Sequence, residues 1–194
     1  MEPLATDWSA GRWTRPPVAA SVEGTDLVVE AAEGSDFWRT TSYGFVHDDA
    51  HALVAPLPGG HAVEVCFTAA FTEQFDQAGV FLGVDDVEWI KAGVEFADGF
   101  PQLGAVVTHT FSDWYVAPVP EWSGRRVTVR ASRAGDAVTV RARVDREPWR
   151  LVRLAHLDPD ARVQAGPFCC APTRAGLVVR FHSWTVTDAD AALH

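Results

Sequence analysis

Trp89-Ile90-Lys91-Ala92-Gly93-Val94-Glu95-Phe96 alternates with a period of two. Ile90, Ala92, Val94 and Phe96 fall on one side and Trp89, Lys91, Gly93 and Glu95 on the other, the pattern of a β-strand with one face in a core. The second face sets an ammonium and a carboxyl among aromatic and glycine positions, which reads as the floor of a site rather than a solvated surface. Lys91 is the only lysine of the chain; the other fifteen basic residues are arginine. Lysine is a compact charge whose pKa falls readily on burial, suited to point hydrogen bonding, acid/base work or imine formation, roles that arginine does not share. A solvent-facing lysine left by chance is the bland alternative.

Around this stretch the punctuation is that of a β protein. Apolar runs such as Leu27 to Val29, Ala52 to Ala55, Val63 to Phe67, Gly79 to Val84, Val127 to Val129, Val138 to Val144 and Leu177 to Phe181 are separated by Gly, Pro and Asp, and no segment sustains helical periodicity. Arg133-Ala134-Gly135-Asp136 reads as a hairpin turn, as does Val144 to Trp149, and Asp85-Asp86-Val87-Glu88 turns one strand back into the Lys91 strand. The chain of 194 residues, 47% hydrophobic, can bury a full core, and a single domain over 1–194 is expected. Three cysteines, Cys66, Cys169 and Cys170, make no disulfide framework. With no basic, then apolar, leader after Met1 and no membrane-length apolar stretch, a cytoplasmic protein is expected. The net charge of −10 argues against nucleic acid and anionic membranes as partners. Nine arginines nevertheless fall between 121 and 153 against Glu121, Asp136, Asp145 and Glu147. The plain reading is a solvated outer face; a docking surface for an acidic partner or a second subunit stays open.

Asp36-Phe37-Trp38-Arg39-Thr40-Thr41 with Tyr43-Gly44, then Phe75-Asp76-Gln77-Ala78-Gly79, the Lys91 strand, Phe111-Ser112-Asp113-Trp114, Gly166-Pro167 and Phe181 follow one another in a characteristic order. This succession, spread from Trp13 to Val186, resembles the uncharacterised domain family that includes the regulation-of-enolase protein. The resemblance implies an all-β, concanavalin A-like jelly-roll sandwich of two antiparallel sheets, a fold shared with lectins and glucanases. It implies no reaction, since a common fold does not license a common activity. The Glu-x-Asp-x-x-Glu cluster of glucanases of this fold is absent here, so their chemistry is not carried over.

In a jelly roll one sheet is concave and its outward side chains line a groove. The family motifs place Trp38, Tyr43, Gln77, Trp89, Lys91, Glu95, Asp113 and Trp114 in that groove. Trp38, Tyr43, Gln77, Trp89, Lys91, Glu95 and Trp114 are expected to bind ligand; if the protein is an enzyme, Lys91, Glu95 and Asp113 are its acid/base groups. Aromatic platforms with a few polar groups suit a sugar, whose ring stacks on Trp and whose hydroxyls are fixed by carboxyl, amide and ammonium. Lys91 and Glu95 stand about 13 Å apart along the strand, so each needs a partner elsewhere. Asp36, Asp76, Gln77 and Asp113 are the candidates, and the set would serve equally as a network that only holds the groove in shape. Trp8, Trp122, Trp149 and Trp184 read as caps or core of the sandwich.

His47-Asp48-Asp49-Ala50-His51 reads as a turn with exposed flanking histidines, and no metal is expected. No glycine-rich phosphate loop precedes a helix, and no cofactor is expected. The leading expectation is a binding or regulatory module for a small, carbohydrate-like ligand. The alternatives are an enzyme acting on a sugar or natural-product-like substrate, and a protein-interaction regulator of a metabolic enzyme. A protein partner or homo-oligomer stays open.

Overall fold

The computed structural model describes residues 6–193. Its strands in chain order are β1 (Arg12–Trp13), β2 (Ala19–Glu23), β3 (Asp26–Glu30), β4 (Phe37–Arg39), β5 (Val46–Asp48), β6 (His51–Leu57), β7 (His61–Ala69), β8 (Gln77–Gly83), β9 (Glu88–Ala97), β10 (Phe100–His109), β11 (Phe111–Pro118), β12 (Val127–Ala134), β13 (Ala137–Val144), β14 (Arg150–His156), β15 (Val163–Cys170) and β16 (Val178–Asp188). They build one seven-stranded sheet in the order β1-β6-β15-β8-β9-β10-β11, a second in the order β14-β13-β12-β7-β16-β3-β2, and the separate pair β4-β5. All strand pairings within the sheets are antiparallel. Among the described residues the helical segments are two single 3₁₀ turns, Trp8–Ala10 and Pro120–Trp122. No helix among the described residues is long and apolar enough to cross a membrane.

Period-two alternation sets the layers. Val80, Leu82, Ile90, Ala92 and Val94 of the first sheet meet Val63, Val65, Phe67, Val129, Val140 and Trp184 of the second in one core. The anticipated turns close as read: Ala134 pairs with Ala137 around Gly135-Asp136, and β8 returns antiparallel into β9. Trp122 and Trp184 are core residues, and Trp149 is half-buried with the Arg143 guanidinium 4.3 Å above its ring. The arginine-rich face is partly occupied by the chain itself, since Arg130 bonds Asp190 at 2.9 Å and Arg141 reaches the same carboxylate.

A second, smaller core lies on the outer face of the first sheet. Phe37 and Trp38 of β4 pack there with Ala52, Val54, Phe81, Trp89, Val106, Phe168 and Cys170. The β4-β5 hairpin thus covers part of the concave face and leaves the rest open. His51 opens β6 and is 2% exposed, contrary to the reading of the His47–His51 stretch as a turn with exposed histidines. Its Nε2 accepts the Ala32 N–H at 3.0 Å, which leaves Nδ1 as the donor to the Arg15 carbonyl at 3.2 Å.

Candidate functional site

The floor of the groove is set by strand register. Across β8, β9 and β10 three rows face outward: Gln77, Glu95 and Gln102; Gly79, Gly93 and Gly104; and Phe81, Lys91 and Val106. The glycine row is obligatory at its centre, where a Cβ on Gly79 would stand 2.0 Å from the Ala92 oxygen and 2.7 Å from the Gly93 Cα. Between Lys91 and Glu95 the floor therefore carries no side chain. A small recess of about 20 Å³ is lined there by Lys91, Gly93, Glu95, Gly104 and Trp114.

The wall comes from the hairpin and the edge strand. Trp38 and Tyr43 meet edge to face at 5.6 Å, Tyr43 stacks on Phe45 at 5.3 Å, and Trp38 meets Trp114 of β11 edge to face at 6.4 Å. The hairpin tip needs left-handed backbone at Thr40, Ser42 and Gly44, and Trp38 steadies it by donating Nε1 to the Thr41 carbonyl at 3.0 Å. Floor and wall enclose a cavity of about 360 Å³ lined by Asp36, Trp38, Tyr43, Phe45, His47, Phe75, Gln77, Lys91, Glu95, Val106, Trp114, Pro172 and Thr173, among others.

The charges on this floor are paired unequally. Lys91 is 3% exposed and donates Nζ to Asp36 Oδ1 at 2.7 Å. Burial pulls the ammonium's pKa down, but the carboxylate of Asp36, with Cys170 and Glu95, outweighs it and holds the pKa above its ordinary value. Lys91 is thus a fixed charged donor, and the imine role, which needs the free amine, is disfavoured. Asp36 Oδ1 also accepts the Phe37 N–H at 2.7 Å and the Cys170 thiol at 3.6 Å. Burial, followed by the neighbouring Asp36 carboxylate, drives the Cys170 thiol well above its ordinary pKa, so it stays protonated. Glu95 differs. Burial pushes its carboxyl up to about 7 against the pull of Lys91, and its Oε1 is buried without a hydrogen-bond partner.

Asp76, a candidate partner for the floor, serves the frame instead. It is fully buried and takes Arg174 Nε at 2.9 Å and Nη2 at 2.7 Å, with the Thr72 and Glu73 N–H groups capping the same oxygen. Two expected site residues also lie elsewhere. Asp113 pairs with Val107, a core-facing position, so it points away from the groove that its neighbours Ser112 and Trp114 face; its carboxylate meets Arg153 of the second sheet at 3.2 Å. Trp89 shares the outer face with Lys91, but it is buried beneath the hairpin against Phe37 and Phe81, with ring centroids 5.7 and 6.2 Å apart. Trp38, Tyr43, Gln77, Lys91, Glu95 and Trp114 do line one cavity. Phe45 joins them without having been singled out, as do Phe75, quoted only as part of a motif, and His47, weighed only as a metal ligand; the alternation Tyr43, Phe45, His47 was the available signal. Among the described residues no group of three or more His, Cys, Asp or Glu side chains gathers as a metal site.

A family described as a protein of unknown function (DUF1349) matches residues 13–189. Regulation of enolase protein 1 of Saccharomyces cerevisiae is 33% identical over the whole chain and 98% of its own length. A crystal structure of a functionally unknown S. cerevisiae protein superposes with a TM-score of 0.90 at 32% identity, covering 96% of this chain and 100% of that one. More distant folds agree. A GH43 protein of Bacillus licheniformis has a TM-score of 0.73 at 9% identity, over 96% of this chain and 38% of its own. A β-1,3-glucanase of Mycobacterium marinum has 0.55 at 14% identity, over 87% and 77%. The fold is the concanavalin A-like sandwich expected.

Proposed function

The chain belongs to the DUF1349 family, whose function is unknown, and we propose that this member binds a small, neutral, carbohydrate-like molecule on its concave sheet face. The observation that carries the reading is a cavity whose aromatic wall, Trp38, Tyr43 and Trp114, faces a floor bearing Gln77, Lys91 and Glu95. A sugar offers C–H faces that stack on rings and hydroxyls that take directional hydrogen bonds, which is the complement of such a lining. Charge narrows the class. Lys91 and His47 are the only basic side chains among the lining residues; Lys91 is already paired with Asp36, and His47 with Asp49 at 3.3 Å. A phosphate or carboxylate would find no free cation there and would meet two carboxyl groups.

The distant fold neighbour named a β-1,3-glucanase supports the ligand class as analogy alone. The name of the yeast relative supports a regulatory output, in which sugar occupancy alters contact with a metabolic enzyme. Free, buried thiols at Cys66, Cys169 and Cys170 fit the reducing cytoplasm as the place of action. The test is titration calorimetry with neutral monosaccharides and disaccharides beside the corresponding sugar phosphates. Neutral sugars bind, and Trp114→Ala weakens them about two- to tenfold, the worth of one aromatic contact. Tighter binding of the phosphates, or binding indifferent to Trp114, overturns the reading.

A further inference from the structure

Glu95 has features that a site built only to hold a ligand does not require. A buried carboxyl oxygen without a partner costs folding energy that a repacked apolar side chain would avoid, yet Glu95 Oε1 is in that state at the edge of the cavity. Building on the reading of the cavity as a neutral-sugar site, we propose that it interconverts the anomers of a free aldose, with Glu95 as general base at the anomeric hydroxyl and Lys91 as general acid at the ring oxygen.

The two groups have complementary chemistry. A carboxyl at about 7 is present in both protonation states at neutral pH, the condition under which it takes up and returns a proton with least loss. Lys91 is held as an ammonium by Asp36 at 2.7 Å, so its N–H donors are present and fixed in position, and the proton it lends to the ring oxygen is recovered when the ring closes. Their Cα atoms are about 13 Å apart along β9, and both side chains line the same small recess and the same larger cavity. Gly93 lies between them on the same face and Gly104 beside it, leaving an open strip of floor with an acid at one end and a base at the other. A ring seated on that strip, against Trp114, presents its anomeric carbon between the two.

The step closes on itself. The Glu95 carboxylate takes the proton of O1; the O1–C1 bond becomes a carbonyl as the C1–O5 bond breaks, its electron pair leaving on O5, which takes a proton from Lys91 Nζ. Rotation about C1–C2 turns the other face of the carbonyl towards O5. The hydroxyl at O5 then adds to C1, its proton returns to Lys91, and Glu95 gives its proton to O1. Nothing is oxidised or reduced, and the sugar alone is consumed and returned. Asp36 acts through Lys91 as a positioning residue.

The test is two-dimensional NMR exchange spectroscopy between α and β anomer signals of D-glucose, D-galactose, D-xylose and L-arabinose, with titration calorimetry on the same samples. For the aldose that binds, anomer exchange accelerates in proportion to protein, and the acceleration rises with pH through about 7 as Glu95 deprotonates. Glu95→Gln cuts it roughly 100-fold while affinity changes little. Asp113→Asn, altered outside the cavity, keeps the full rate. A sugar that binds but exchanges no faster than in buffer overturns the catalysis and leaves the binding reading standing; failure of every neutral sugar to bind removes both. Acceleration that survives Glu95→Gln overturns the assignment of the base.

Discussion

Asp36 and Lys91 lie 55 residues apart in the chain and meet at 2.7 Å beneath the aromatic hairpin, with side-chain exposures of 17% and 4%. The contact joins wall to floor. Asp36 precedes β4 and Lys91 stands in the middle of β9, and the Asp36 carbonyl accepts the N–H groups of Asp49 and Ala50 at the far end of the hairpin. One residue therefore ties both feet of the hairpin to the sheet.

Removing one partner of a buried ion pair strands the other charge, at a cost of about 3 to 5 kcal/mol. Asp36→Ala is accordingly expected to lower stability in urea by about 3 kcal/mol and to loosen the hairpin. The double replacement Asp36→Leu with Lys91→Met recovers most of that loss while abolishing ligand binding. Equal stability of Asp36→Ala and the unaltered protein would show that the pair is solvated.

Glu95 gives the fold a pH dependence of definite sign. Its folded pKa of about 7 lies above the ordinary carboxyl value of 4.5, so between these limits the folded state holds more protons than the unfolded one. Stability from this group is full below about 4.5 and falls as pH rises to about 7. Glu95→Gln removes the slope and leaves the protein more stable than the parent at pH 8, by up to about 3 kcal/mol. Denaturation midpoints across pH 4 to 8 measure the difference.

His51 works in the opposite direction. Burial pulls its pKa below 6.5 against the raising effects of the Arg15 carbonyl and Asp49, and its Nε2 must stay unprotonated to accept the Ala32 N–H. Its contribution is whole above 6.5 and is lost as pH falls through the lower folded pKa. His51→Gln keeps an acceptor without a titration, and thermal melts of this variant lack the acid-side loss due to His51.

Arg174→Lys replaces a guanidinium fork gripping both Asp76 oxygens by a point charge. Asp76 is fully buried, so the expected cost is about 2 to 4 kcal/mol. The damage extends to ligand affinity, because the backbone at Asp76 fixes the neighbouring Gln77 end of the floor through the Phe96 N–H at 2.9 Å. Unchanged affinity in a folded Arg174→Lys protein would separate the frame from the site.

The Lys91 strand was legible because one face is apolar and the other is not, and alternation alone then put Lys91, Gly93 and Glu95 together. Asp113 and Trp114 illustrate the limit. Adjacent strand residues face opposite ways, and only the pairing of Val107 with Asp113 decides which of the two enters the groove. Trp89 is on the predicted face, yet whether an aromatic there lines a cavity or lies under a cover depends on the hairpin. That cover was hard to read, because β4 and β5 have three residues each, too few for a period. β15 was obscured by Gly166-Pro167, since proline lacks the N–H that an interior strand donates on one side; pairing with β6 holds through Ala165 and resumes at Phe168. The choice of Asp36 as partner of Lys91 among four acidic and amide candidates rested on a contact across 55 residues, which no local pattern encodes.

The β4-β5 pair shares no ladder with either large sheet. The sandwich's backbone bonding is complete without the segment from Asp36 to Asp49, while most of the ring surfaces facing a ligand are carried by it. Inheritance of the frame and of its taste for ligands is thereby uncoupled: relatives could diverge in what they recognise by rewriting some fourteen residues, provided the Asp36 clasp is kept. A graft of that segment between two members of the family, each otherwise intact, should carry preference with it and leave the recipient's unfolding curve nearly where it was.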